Sequence, residues 1–311
     1  MINFKKYPFL VFVISLLLIF SSCEKVIQVD VPEGETLLVV DAWLNNKPVD
    51  QVIRLTTTAP VFSSTSTPPA NGATVKVKDL SNGKLYVFTE SLGTGNYIYT
   101  PTTNDSFNVI GHQYELQINY KGYSYKSTST SYKTTQIDTV GFNKLTDFGD
   151  TTVRGFAPWL FGKDLPNEKN FYWIKTYKNG KFFNASSNVN ISEDGGGGEG
   201  SDGLCFIPPI AYFSVTPFDN PFKLNDLLTV EVYSINKNSY EYLIQLVTQV
   251  NNSQAGLFAV TPENLRTNIL PLAENSPRVL GWFNIGTVSS KNFICKDIPV
   301  ENVFLGGYFC P

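Results

Sequence analysis

Nine residues constrain the fold of this chain most. From His112 to Tyr120, the residues His112, Tyr114, Leu116, Ile118 and Tyr120 alternate with Gln113, Glu115, Gln117 and Asn119. A period of two puts the first set on one face of a strand and the second on the other. Lys121-Gly122 then turns the chain into Tyr123–Thr130, which completes a hairpin. The same reading applies upstream. Leu37–Leu44 is an apolar strand, Gln51–Thr57 a second, and Val75 and Val77 alternate with Lys76 and Lys78 in a third. Asp79-Leu80-Ser81-Asn82-Gly83 is a turn, Leu85–Thr89 returns, and Gly95-Asn96-Tyr97 opens a short strand to Thr100. Between the second and third strands, Ala59–Gly72 is a Pro/Ser/Thr-rich loop.

Composition agrees with a β chain. The sequence has 23 Phe, 16 Tyr and 4 Trp but only one Met and one His, a mix that suits pleated surfaces and turns. Hydrophobic residues make up 42%, enough for real cores. About seven short strands, with turns every 8 to 12 residues, predict an immunoglobulin-like or transthyretin-like β-sandwich over residues 37–132. Residues 133–311 predict a larger β-rich domain. In it Phe171–Tyr177, Leu227–Tyr233 and Arg278–Val288 read as strands. One amphipathic helix is predicted over 238–251, with Tyr240, Leu243, Ile244, Val247 and Val250 on one face and an Asn238/Glu241 capping box. Ser192–Gly203 (SEDGGGGEGSDG) is too glycine-rich to pack and reads as a loop.

The amino terminus carries the strongest functional signal. Lys5 and Lys6 precede an apolar run of about 14 residues, Tyr7–Phe20, which ends in Ser21-Ser22-Cys23. A basic start, a short apolar run and small residues describe an export signal, shorter than the roughly 20 residues that span a bilayer. Cys23 after the small pair resembles the lipobox of bacterial lipoproteins, with Phe20 where that family usually has Leu, Val or Ile. The resemblance implies a signal peptide over 1–22, acylation of Cys23 and a tether over 23–36. Glu24 rather than Asp follows Cys23, which favours the outer membrane. The tether is acidic through Glu24, Asp30, Glu33 and Glu35; it loosely resembles the acidic export signals of surface lipoproteins, which implies the cell surface rather than the periplasmic face.

Chemistry is harder to find. In an oxidising compartment, one disulfide is expected among Cys205, Cys295 and Cys310. Cys295–Cys310 would close a short loop, and Cys205 with either partner is the alternative. His112 is the sole histidine and sits on an apolar strand face, so Ser/His/Asp, Cys/His and HExxH constellations lack a member. No metal or organic cofactor is expected beyond the covalent lipid. The net charge of −3 argues against nucleic acid as a partner. Paired carboxylates would have to come from Glu193, Asp194, Glu199 and Asp202, in a loop too glycine-rich to hold catalytic geometry. Among the tryptophans, Trp43 and Trp173 sit in apolar strand patterns and read as core. Trp159, beside Pro158, is the candidate for an exposed ligand-binding ring.

Several segments together carry a resemblance. They are Cys23-Glu24-Lys25-Val26-Ile27, Val29-Asp30-Val31-Pro32, Leu38–Leu44, Tyr233–Lys237 with Tyr240–Leu243, and Leu280-Gly281-Trp282-Phe283. In order and spacing they resemble a Bacteroidota outer-membrane lipoprotein family catalogued as a domain of unknown function, number four-two-four-nine. Genes of that family often sit beside TonB-dependent transporters. The resemblance therefore implies a non-enzymatic lipoprotein that partners such a nutrient transporter. A glycan- or peptide-binding surface lipoprotein acting on its own is the alternative.

Overall fold

The alternating segments become strands where their pattern predicts them. They are β1 (Leu38–Leu44), β2 (Gln51–Thr57), β3 (Thr74–Asp79), β4 (Leu85–Ser91), β5 (Asn96–Tyr99), β6 (Gln113–Tyr120) and β7 (Tyr123–Thr130). This computed structural model describes residues 35–59, 67–102, 105, 107–146, 151–193, 220–252 and 265–297. Cys23, Cys205, Cys310, Asp194, Glu199 and Asp202, on which expectations rest, lie outside the described residues. The protein is mainly β, with one 16-residue helix among the described residues.

Two strands from far along the chain, β14 (Leu270–Pro271) and β15 (Val279–Ile285), join the first seven. The resulting nine-stranded sheet has the order β14-β7-β6-β3-β4-β5-β2-β1-β15. One face of every long strand feeds a single core. It holds Val40, Ala42 and Leu44 from β1, Ile53 and Leu55 from β2, and Tyr114, Leu116 and Ile118 from β6. The sheet curls around this core until the Ile285 N–H donates to Ser129 Oγ at 3.2 Å, which brings β15 against β7. The result is sandwich- or barrel-like. His112 lies just before β6, its Nδ1 2.7 Å from Oδ2 of the buried Asp79.

The expected boundary at 132–133 meets a sheet that crosses it. β15 pairs in parallel with β1, Leu38 against Val279 through Leu44 against Ile285. The described residues from Thr36 onward form one compact unit. The physical reason lies in β1. Without β15, this apolar strand would stand at an open edge with its backbone groups unpaired.

A second sheet contains β10 (Phe171–Lys178), β11 (Lys181–Phe182), β12 (Asn190–Glu193), β13 (Leu227–Ile235) and β16 (Val288–Ile294). Its central pair runs antiparallel, Phe171 against Ile235 through Lys178 against Leu228. One face packs on the hairpin β8 (Ile137–Thr146) and β9 (Val153–Gly162) through Tyr172, Ile174, Val230, Val232 and Leu160. The expected closing strand Arg278–Val288 is divided. β15 ends at Ile285, and Gly286-Thr287 carries the chain into β16 of the other sheet. A side chain at Gly286 would collide with the Ser234 backbone, so the crossing needs glycine.

Helix α1 (Lys237–Asn252) follows β13 directly. Its cap corrects the sequence reading. Asn236, not Asn238, accepts the Ser239 N–H on its side-chain oxygen at 2.8 Å, and its carbonyl accepts the first helical bond from Tyr240. Glu241 turns outward to Arg266 at 3.2 Å instead of closing a capping box. Tyr242 and Leu243 are buried, and Ile244 and Val250 of the expected apolar face are exposed.

Candidate functional site

The outer face of β1 carries Val39, Asp41 and Trp43, the residues that alternate with its core set. Three other elements close around that face. β15 supplies Trp282, β10 supplies Trp173, and α1 supplies Tyr242, Leu243 and Leu246. Phe182, Asn184 and Val189, with Val40 and Gly281, also line this cavity of about 300 Å³. That is the small end of ligand-pocket sizes, and an apolar wall with few polar groups is what such pockets show.

The rings are fixed by contacts with one another. Trp43 meets Trp173 edge-on at 4.9 Å and 70°, and Tyr242 stacks on Trp282 at 4.6 Å and 18°. The Trp282 indole N–H donates to Ser239 Oγ at 2.7 Å, and the Ser239 hydroxyl is 2.9 Å from Asn284 Oδ1. This chain of bonds ties β15 to the first turn of α1 and sets the orientation of the cavity's back wall. Gly281 makes the approach possible. It has φ of +98°, and a Cβ there would overlap the Val40 carbonyl oxygen.

Among the described residues, Asp41 is the one charged residue that lines the cavity. Its cross-strand neighbours are Trp282 on β15 and Arg54 on β2. The side chain is open to solvent from the cavity side, while protein crowds it elsewhere. That burial raises its pKa above the ordinary aspartate value, against the opposing pull of Lys175, Arg54 and the Trp43 indole.

Lys175 stands two residues along β10 from Trp173. Its Nζ lies 4.0 Å from the Trp173 ring centroid and 4.2 Å from that of Tyr233. Burial pushes its pKa down to about 8, with Glu231 and Asp41 pulling the other way. Asp41 and Lys175 therefore sense each other's charge. Among the described residues, though, neither enters a direct ion pair. Glu231, itself buried, is matched by the Lys47 ammonium and by the Tyr177 hydroxyl at 3.0 Å. Asn45 donates to the Tyr233 hydroxyl at 2.9 Å. Burial raises the Tyr242 phenol to about 12, which keeps it neutral and able to donate.

Sequence expectations map onto this site unevenly. Trp159 lies on β9, across from Gly141, and is not among the cavity's lining residues. Trp43 and Trp173, read as core, pack against a buried cluster and also line the cavity. Glu193 ends β12, pairs with Lys169 at 2.9 Å and is not among the cavity's lining residues. Cys295 is buried and has no disulfide partner among the described residues, and that burial raises its thiol pKa to about 11. Asp41 and Lys175 were missed. The available signal was a lone charge inside an apolar stretch, Leu38–Leu44 and Phe171–Tyr177 respectively.

A family model described as Domain of unknown function (DUF4249) matches residues 24–292. No curated protein and no solved structure matches the chain.

Proposed function

The chain belongs to the DUF4249 family, and on that premise we propose that it is a non-enzymatic, lipid-tethered ligand-binding protein of the outer membrane. In this reading Cys23 carries the acyl anchor, and the aromatic cavity holds a small organic ligand. The partner is a TonB-dependent transporter that receives it. The observation that carries the reading is the cavity walled by Trp43, Trp173, Tyr242 and Trp282 with Asp41 open to it. A single carboxylate supplies an acceptor for orientation. It does not supply the paired acid and base that hydrolysis needs. Rings locked by stacking and by the Ser239 bridge are pre-organised, so little ordering cost falls on binding. The anchor supports the partnership. Confinement to a membrane surface raises effective concentration, so that a weak interface suffices.

Purification of the tagged, acylated protein in mild detergent tests the partnership. A TonB-dependent transporter should co-purify in stoichiometric amount and be lost in Cys23→Ser, although that variant still folds. Recovery of the wild-type protein alone would leave the autonomous glycan- or peptide-binding reading, which uses the same cavity. Full function from the Cys23→Ser variant would sink the tethered reading.

A further inference from the structure

We propose that the cavity takes a neutral, hydroxyl-bearing ring, that is, a saccharide unit. This inference rests on the cavity being a ligand site. The walls fix the first requirement. Trp43 and Trp173 line the space while staying partly accessible, and Tyr242 and Trp282 back it. Flat aromatic surfaces of this kind favour a flat, partly apolar ring over a chain.

The polar groups fix the second. Among the described residues that line the cavity, Asp41 is the charged group and Asn184 a side-chain amide, and the Tyr242 phenol adds a neutral hydroxyl. A carboxylate only accepts hydrogen bonds, so the ligand must bring donors, either hydroxyls or an ammonium. The surrounding charges decide between them. Lys175, though not a lining residue, already places a cation against Trp173, 4.0 Å from its ring centroid. Arg54 sits directly across from Asp41 in the sheet. Both act on Asp41, and Lys47 and Glu231 are matched to each other. A ligand cation beside Asp41 would thus be opposed by the positive charges of Lys175 and Arg54, which already act on that carboxylate.

An anion would face Asp41 itself. A wholly apolar ligand would strip water from that carboxylate and return no hydrogen bond. A hydroxyl gives Asp41 a charge-assisted bond without the cost of desolvating a second full charge. Asn184 at the rim can both donate to and accept from neighbouring hydroxyls.

The test is a titration of intrinsic tryptophan fluorescence on the full mature chain in detergent. The saccharide probes are glucose, galactose, N-acetylglucosamine, maltose and cellobiose. Choline, acetate and indole serve as cationic, anionic and apolar probes. At least one saccharide should saturate with a Kd of about 1 mM or tighter. Asp41→Asn should weaken it roughly tenfold or more, as expected for loss of a charge-assisted bond. Trp173→Ala should abolish it, and Trp173→Phe, which keeps the packing, should retain part of it. Saturable binding of choline, acetate or indole with no response to any saccharide would overturn the saccharide assignment. If that binding is lost in Trp173→Ala, the cavity stands as a ligand site. If no probe gives a response that Trp173→Ala removes, both readings fall.

Discussion

Lys175 shows how one residue can be costly where it stands and still be held there. Its ammonium is less favourable in the folded protein than in the unfolded chain, so its folded pKa of about 8 lies below the ordinary 10.5. Between those values the unfolded chain binds more protons, and the stability contribution of this group rises with pH across that window. Lys175→Met should therefore stabilise the protein at pH 7 by about 1–2 kcal/mol, the desolvation relief less the lost cation–π contact. The advantage should shrink towards zero near pH 10. Urea denaturation at both pH values checks this, and a less stable Met variant at pH 7 would mean that the ring contacts outweigh the burial. Gly281 is the opposite case, a residue with no side chain to lose. A Cβ at its φ of +98° meets the Val40 carbonyl, so Gly281→Ala should cost about 3 kcal/mol or more. A thermal melt within a few degrees of wild type would show that β1 and β15 can separate cheaply.

Among the elements, α1 matters most to the site because it connects the two sheets' aromatic residues. Its start is fixed by Asn236, and its first turn carries Ser239, which holds the Trp282 indole. Asn236→Ala should lower stability by about 1 kcal/mol, the usual cost of losing a cap. It should also loosen the Tyr242–Trp282 stack, seen as a red shift of tryptophan emission. An unchanged spectrum together with lowered stability would confine the role of Asn236 to the helix. Burying Tyr242 and Leu243 contributes roughly 1.5–3 kcal/mol each, which explains why a helix without acidic residues in its first turn still forms here. The capping box expected at Asn238 is an instance of a local signal outcompeted. Asn236 lies at the end of β13, and the strand delivers it to the cap position.

At the scale of the molecule, the parallel pairing of β1 with β15 ties together segments more than two hundred residues apart in sequence. A fragment covering residues 36–132 lacks β14 and β15 and leaves the β1 edge open. We expect it to give no dispersed amide spectrum, whereas residues 36–311 should. A folded short fragment would mean that the first seven strands close by themselves.

The sequence by itself determined the first seven strands and which face each presents, and the central pair of the second sheet, but not β8, β9, β12 or β16. Those features depend on neighbours a few positions apart, and alternation records them directly, as in Gln113–Tyr120 and the Tyr123–Thr130 hairpin. It also determined the family, because the motifs from Cys23 to Phe283 keep their order along the chain. Tertiary structure alone decided what lies against the second face of β1. Trp43 and Trp173 look like core in their own strands, and so they are, but packing of the second sheet and α1 over that face is incomplete and leaves a cavity. Asp41 looks like an interruption of an apolar strand until β10 brings Lys175 near it. Such a site arises from contacts between distant segments, and no periodicity within either segment encodes them.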